Sequence, residues 1–392
     1  MMKFTMNAKE LKAMMDKSMS TIYKKCPLTS LTRLYFQVDE NGTVKIWGTD
    51  LEHYAEVRSK NAYMTSPGIL GIDIDDIKII SKMNGDVTLE DVTAPDLSVS
   101  KINIKCGKKI VTIPRYANTD VFLPTMDETE SKILSVKENW LLETITDLSR
   151  FTVDSETNKV LSLFNFNTKD KRVEALDGHR IGMRSLKNQT IYEIAENKFN
   201  TVKIHNRCVP VFKKLMDKKS SDNVVIYQDN KYIRVEGKDF TYVTTRIDCE
   251  YFDVSKMLNV ESKFKFIPKR ENILSVMKYN ADFIKTERKP VILHTKNKML
   301  YTYMRTAKYE MFDEIEVSEN DMSEDLYIGL NPYFLADTFE IVDSENPVCT
   351  GYNEKTPLII NGNEYSFVIL PINIIREEDL FNKFEEKISK AA

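Results

Sequence analysis

Asp177-Gly178-His179-Arg180 is the one stretch of this 392-residue chain whose residue types suggest chemistry by themselves. An aspartate and a histidine two residues apart can in principle serve proton transfer. The stretch reads more readily as a tight turn at a strand end, where Gly178 supplies a backbone angle that other residues avoid and the side chains fix neighbouring loops. Gly48-Thr49-Asp50-Leu51-Glu52 stands at the equivalent place earlier in the chain, which favours the structural reading. The four histidines (His53, His179, His205, His294) include no i, i+4 pair, so a zinc-binding helix is unsupported. No G-x-S-x-G elbow, phosphate-cradling loop or G-x-G-x-x-G occurs, and twelve glycines leave little material for one. The chain is therefore expected to be non-catalytic and to need neither metal nor cofactor.

The elements around that turn repeat. A short alternating strand runs straight into an amphipathic helix three times, at an offset of about 130 residues: Lys3-Phe4-Thr5-Met6 before Leu11, Ile133-Leu134-Ser135-Val136 before Leu141, and Phe264-Lys265-Phe266-Ile267 before Ile273. Midway through each unit a second strand enters a second helix: Ile72-Asp73-Ile74 into Ile77, Val202-Lys203-Ile204 into Val209, and Tyr327-Ile328-Gly329-Leu330 into Phe334. Asn7 and Glu10 form a candidate capping box, and Leu11, Met14, Met15, Met19 and Ile22 recur at helical spacing. Leu141, Leu142, Ile145 and Leu148 do the same in the second unit, and Ile273, Leu274 and Met277 in the third.

Between helices the chain alternates with period two, as in Leu34-Tyr35-Phe36-Gln37-Val38 and Lys231-Tyr232-Ile233-Arg234-Val235, with Asn41-Gly42 and Asp229-Asn230 as hairpin turns. The expected fold class is α+β: three repeats, each with two helices gathered on antiparallel sheets. Such a chain suits an arc or ring better than an active-site cleft. Composition places the boundaries at 1–128, 129–260 and 261–374, followed by an amphipathic tail over 375–392.

At 42% hydrophobic and 29% charged residues the chain is globular. No apolar run of membrane-spanning length occurs, the N-terminus turns polar too soon for a secretory signal, and the five cysteines are scattered singly. A reduced, cytoplasmic protein is expected. A net charge of −3 argues against a dedicated, tight nucleic-acid binder. It leaves room for basic residues confined to one surface, and Lys9, Lys12, Lys17, Lys78, Lys82, Lys213, Lys214, Lys269, Arg270 and Lys278 recur on the polar faces of the expected helices. The acidic clusters lie elsewhere, from Asp313 through Asp325 and at Glu377-Glu378-Asp379.

Glu174-Ala175-Leu176-Asp177-Gly178-His179-Arg180-Ile181 resembles the A-T-D-G-H-R-L stretch of the bacterial DNA sliding clamp, the beta subunit of the replicative DNA polymerase III holoenzyme. Met2-Lys3-Phe4-Thr5 and Gly48-Thr49-Asp50-Leu51-Glu52 resemble the first domain of that family. Leu330-Asn331-Pro332-Tyr333-Phe334-Leu335 resembles its third, and Ile369-Leu370-Pro371-Ile372 its closing V-M-P-M segment. These matches fall in order over residues 1 to about 374.

The resemblance implies three clamp domains per chain and a head-to-tail homodimeric ring around duplex DNA, conferring processivity on a replicative polymerase. A ring that slides needs diffuse phosphate attraction without base readout. By resemblance the DNA-facing residues are Lys25, Lys82, Arg207 and Lys214, with Lys159 in a DNA-contacting loop and Arg150 beside it. A second implied site is a pocket that docks short hydrophobic motifs of the polymerase, the clamp loader and repair proteins. Its matching positions are Leu161, Leu176, Gly178, His179, Arg180, Ile181 and Met257, then Asn331, Phe334, Pro357, Val368, Leu370, Pro371 and Ile372. Phe252, Lys256 and Asn373 depart from the family pattern of proline, arginine and arginine. The dimer contact is implied at Phe283 and Ile284.

Two other readings compete: an interaction scaffold of the same fold that does not encircle DNA, and an enzyme using Asp177 and His179. The tail places Leu380, Phe381, Phe384 and Ile388 on one helical face. It is expected either to rest on the outer surface of the third repeat or to compete with peptides at the pocket.

Overall fold

Each opening strand runs into its helix at an abrupt change of hydrophobic period. Strand Lys3–Asn7 leads to α1 (Ala8–Ser18), and the second strand of that repeat, Gly68–Asp73, leads to α2 (Ile74–Ile77). Ser131–Lys137 leads to α3 (Glu138–Leu148), and Thr201–His205 to α4 (Cys208–Leu215). After a single turn, α5 (Ser255–Leu258), strand Phe264–Pro268 leads to α6 (Arg270–Phe283), and Ile328–Leu330 to α7 (Pro332–Ile341). All six expected junctions are present in this computed structural model. It describes residues 1–392 apart from 23–24, 93–99, 117–122, 193–199, 259–260, 285–288, 322–325, 375–377 and 392. Asp325 of the acidic run, Val260 at the second boundary and Glu377 at the start of the tail lie outside the described residues.

Local chemistry explains where the helices depart from expectation. The Asn7 side chain accepts from the Lys9 amide at 3.0 Å, a normal cap. Glu10 does not close a capping box; its Oε1 accepts from Ser59 Oγ at 2.6 Å and Asn61 Nδ2 at 2.9 Å, tying α1 to the neighbouring strand. Leu11, Met14 and Met15 are buried as expected, but α1 tightens into a 3-10 turn at Met19–Thr21. Three residues per turn rotate the buried face, so Thr21 is buried while Met19 and Ile22 are half-buried. Helix α2 is one turn long, and β-branched Ile79 and Ile80, side chains that crowd a helix, follow soon after its last residue, Ile77.

The chain divides into two compact units, Met1–Ile145 with Gln189–Asp248 and Thr146–Asn188 with Cys249–Ala392. In the first unit a nine-stranded sheet joins the strands of two repeats where Phe240–Thr245 pairs antiparallel with His53–Ser59. Its hairpin at Asn41-Gly42 turns through a Gly42 φ of +78°, and Tyr35 stacks on Trp47 at 4.3 Å. In the second unit the comparable seam pairs Arg180–Ser185 with Tyr365–Ile369, Ile181 opposite Val368.

Both seams are introduced by the same turn. Asp50 Oδ1 accepts from the Glu52 and His53 amides at 3.0 and 2.6 Å, and Asp177 Oδ1 accepts from the His179 and Arg180 amides at 2.9 and 3.0 Å. The residue after each aspartate is left-handed, Gly178 at φ +89° and Leu51 at φ +78°. Leucine in that region costs about 1–2 kcal/mol, and glycine restores part of this as unfolded-state entropy. Leu51→Gly is therefore expected to stabilise the protein by about 0.5–1 kcal/mol in urea denaturation. A loss of stability would show that the half-exposed Leu51 side chain contributes packing that outweighs the strain.

The tail forms α8 (Glu378–Ala391). Phe384 and Ile388 are buried in a cluster with Ile292, Tyr301 and Tyr303, joined by Leu380 and Ile374. Each such side chain contributes roughly 1.5–3 kcal/mol on burial. The tail thus covers the sheet of the third repeat, the first of its two expected positions. Competition at the pocket is not supported, because the cluster beneath α8 shares no residue with the pocket lining.

Candidate functional site

At the seam of the second unit, Leu176, Gly178, His179, Arg180, Ile181, Met257, Val368 and Leu370 line a cavity of about 170 Å³ together with Phe252. Eight of the fourteen expected positions meet there. The strand pairing forces this: Ile181 sits opposite Val368, and Arg180 opposite Ile369. The Leu370 amide then donates to the His179 carbonyl at 2.9 Å, extending the pairing past the strand end. Behind the lining, Leu161 packs against the buried cluster of Leu176, Ile181, Met183, Val254 and Val368. The walls are apolar, and the volume suits one or two aliphatic side chains of a docked segment.

The polar residues of the turn hold the walls. Arg180 is buried, yet every face of its guanidinium is occupied. Its Nε donates to Asp177 Oδ2 at 2.9 Å, one terminal nitrogen to Asp337 Oδ2 at 2.8 Å, and the other to the Arg150 carbonyl at 2.6 Å. The plane lies over the rings of Phe334 and Phe151, 4.3 and 4.7 Å from their centroids. A buried guanidinium with carboxylate, carbonyl and aromatic partners is a rigid strut. His179 is exposed and its ring stacks on Phe334 at 6.2 Å.

Asp177 therefore does not face the His179 imidazole: its oxygens serve two backbone amides and Arg180. That geometry supplies no proton-transfer pair.

The other expected pocket residues lie outside the lining. Asn331 caps α7 by accepting from the Tyr333 amide at 3.0 Å, and that helix delivers Phe334 to His179 and Arg180. Ile372 donates its amide to the Gly329 carbonyl at 2.8 Å. Pro357, Pro371 and Ile372 are half-buried and outside the lining. Phe252, 43% exposed, joins the wall although its residue type marks it only as a departure from the family pattern. Its one signal was an aromatic where a proline is usual. Lys256 pairs with Asp253 at 3.8 Å, and Asn373 is exposed.

The expected DNA-facing residues divide between the units. Lys25, Lys82, Arg207 and Lys214 belong to the first and are all exposed. Lys213 and Lys214 occupy the last turn of α4, which packs on α1, while Arg207 lies 3.9 Å from exposed Glu52. Among the described residues Lys25, Lys82 and Lys214 make no ion pair. Lys17, Lys78 and Lys278 are instead paired with Asp239, Asp75 and Glu340 at 3.5, 2.7 and 2.8 Å.

In the second unit, Lys159 is exposed at a turn capped by Asn158. Arg150 is different. It bonds to Asp337 at 3.1 Å and Glu340 at 2.5 Å while its carbonyl receives Arg180, so it shares Asp337 with the buried Arg180. Ile284, which caps the C-terminal end of α6, is buried within its own chain, whereas Phe283 packs half-buried between the exposed rings of Tyr279 and Tyr309 at 4.8 and 4.9 Å.

No family model matches the chain. Over 363 residues it is 20% identical to the Beta sliding clamp of Lactococcus lactis subsp. lactis (strain IL1403), covering 87% of this chain and 90% of that protein. Among solved structures, the DNA polymerase sliding clamp of Bacillus subtilis superposes with a TM-score of 0.83 at 18% identity, over 95% of this chain and 99% of that one. The beta subunit from DNA polymerase of Streptococcus pyogenes gives 0.83 at 16% identity, over 95% and 100%. The three-repeat α+β reading and the resemblance drawn from Asp177-Gly178-His179-Arg180 are borne out together: this chain has the fold of the bacterial DNA sliding clamps, the beta subunits of DNA polymerase III.

Proposed function

We propose that this protein is a non-catalytic sliding clamp that encircles duplex DNA as a head-to-tail homodimer, tethers a replicative polymerase, and docks clamp-loader and repair proteins by short apolar motifs. The observation that carries the reading is an open apolar cavity at the seam beside Asp177-Gly178-His179-Arg180, in a chain whose clamp likeness spans 95% of its length. Clamp domains over 1–128, 129–260 and 261–374 go with it, supported by the three pairs of strand-to-helix junctions. Exposed Lys25, Lys82, Lys159, Arg207 and Lys214 supply sequence-independent phosphate attraction. None of the eight helices, among the described residues, is long and apolar enough to cross a membrane.

Two surfaces support ring closure. Strand Lys109–Pro114 is the last of its five-stranded sheet and exposes Ile110. The Tyr279, Phe283 and Tyr309 rings offer an aromatic patch of the kind enriched in interfaces. Sedimentation at micromolar concentration is expected to give twice the 45.5 kDa chain mass, and Phe283→Asp with Tyr309→Asp to give a folded monomer. A native monomer at that concentration would overturn the ring.

A further inference from the structure

The chain leaves the cavity wall as a short run whose alternate residues are fastened to three different places. Leu370, in the wall, donates its amide to the His179 carbonyl at 2.9 Å, and Ile372 donates to the Gly329 carbonyl at 2.8 Å. Ile374 packs into the aromatic cluster that Phe384 and Ile388 of α8 close from above. The three anchors fall within five consecutive residues, which makes them one mechanical element. The crossing at Gly329 is close: a Cβ built there would stand 2.6 Å from Ile374 Cγ1 and 2.8 Å from the Ile372 carbonyl oxygen.

Helix α8 grips this element twice. Its Phe384 and Ile388 belong to the cluster against which Ile374 packs, and it holds Tyr327, which directly precedes the strand carrying Gly329. Phe381 and Phe384 lie 5.1 and 5.8 Å from the Tyr327 ring, and the Tyr327 hydroxyl donates to Glu385 at 3.3 Å. Phe384 itself stacks on Tyr303 at 5.2 Å and is fully buried.

The geometry points to α8 as an intramolecular strut that fixes the Leu370 wall of the cavity in the shape that receives an apolar side chain. This rests on the reading of the cavity as a peptide-docking site. The tail then favours docking by removing the disorder that binding would otherwise have to suppress, the opposite sign from a tail that competes for the cavity.

The test uses the full-length chain, a truncation after Ile374, Phe384→Ser, and Gly329→Ala, with a fluorescein-labelled peptide of alternating serine and leucine ending in phenylalanine. Hydrogen exchange at the Leu370 and Ile372 amides is followed in parallel. Removal of α8 is expected to weaken peptide binding about five- to tenfold and to speed exchange at both amides at least tenfold, while the Ile181 amide, deeper in the seam, keeps its protection. Phe384→Ser and Gly329→Ala should shift both readouts in the same direction with the rest of the fold retained, so a truncation that does not fold leaves the question answerable. Unchanged or tighter peptide binding in folded variants would overturn the strut. If the intact protein binds no peptide, the docking reading fails, and unaltered Leu370 exchange in the variants would then dispose of the strut independently.

Discussion

Arg180→Ala is expected to destabilise the second unit by about 3–5 kcal/mol, measured by urea denaturation, because it leaves the Asp177 carboxylate in a site where only 7% of its side-chain surface meets water. The same change removes the platform beneath Phe334 and His179, so affinity for an apolar peptide should fall at least tenfold under conditions where the variant remains folded. Arg150→Ala is the control. Its guanidinium is 39% exposed beside Asp337 and Glu340, and exposed pairs contribute about 1 kcal/mol or less. Equal losses at the two arginines would show that the buried network around Arg180 is not what holds the cavity.

Reversing charge at Lys25, Lys82, Arg207 and Lys214 together should weaken association with open duplex DNA and flatten its salt dependence by about 3 to 4 units of the log–log slope, near 0.9 for each phosphate that is no longer neutralised. All four side chains are exposed, so thermal stability should change little. The complementary reversal of Lys17, Lys78 and Lys278, already paired within the chain, should alter the slope much less. An unchanged slope after the fourfold reversal would remove these residues from the DNA surface.

The repeat architecture was legible because each strand-to-helix junction is local: a period of two gives way to a period of 3.6 within a few residues, and tertiary context cannot move it far. The seam turn was legible for the same reason, since one oxygen of Asp50 and one of Asp177 each accept from the amides two and three residues on. The residues lining the cavity were reached through family likeness, because Leu176, Val368 and Leu370 carry no pattern that separates a cavity wall from an ordinary core.

What sequence did not disclose depends on distant partners. Arg150, expected beside a DNA-contacting loop, is also paired with Asp337 and Glu340, 187 and 190 residues away. Glu10 was taken from its helix cap by Ser59 and Asn61. For the tail, amphipathicity said that one face would be covered but not by what; the aromatic bed of Tyr303, Phe312 and Tyr327 is assembled from separate strands and a loop. Ile284 shows the converse, an apolar residue whose burial is satisfied inside its own chain.

The most direct test of the ring is topological. Protein assembled on nicked circular DNA with a clamp loader and ATP is expected to stay bound through gel filtration at high salt, where attraction to phosphates is screened, and to run off within minutes once a single restriction cut linearises the circle. Retention on the linear product, or equal loss from the circle and the line, would contradict encirclement.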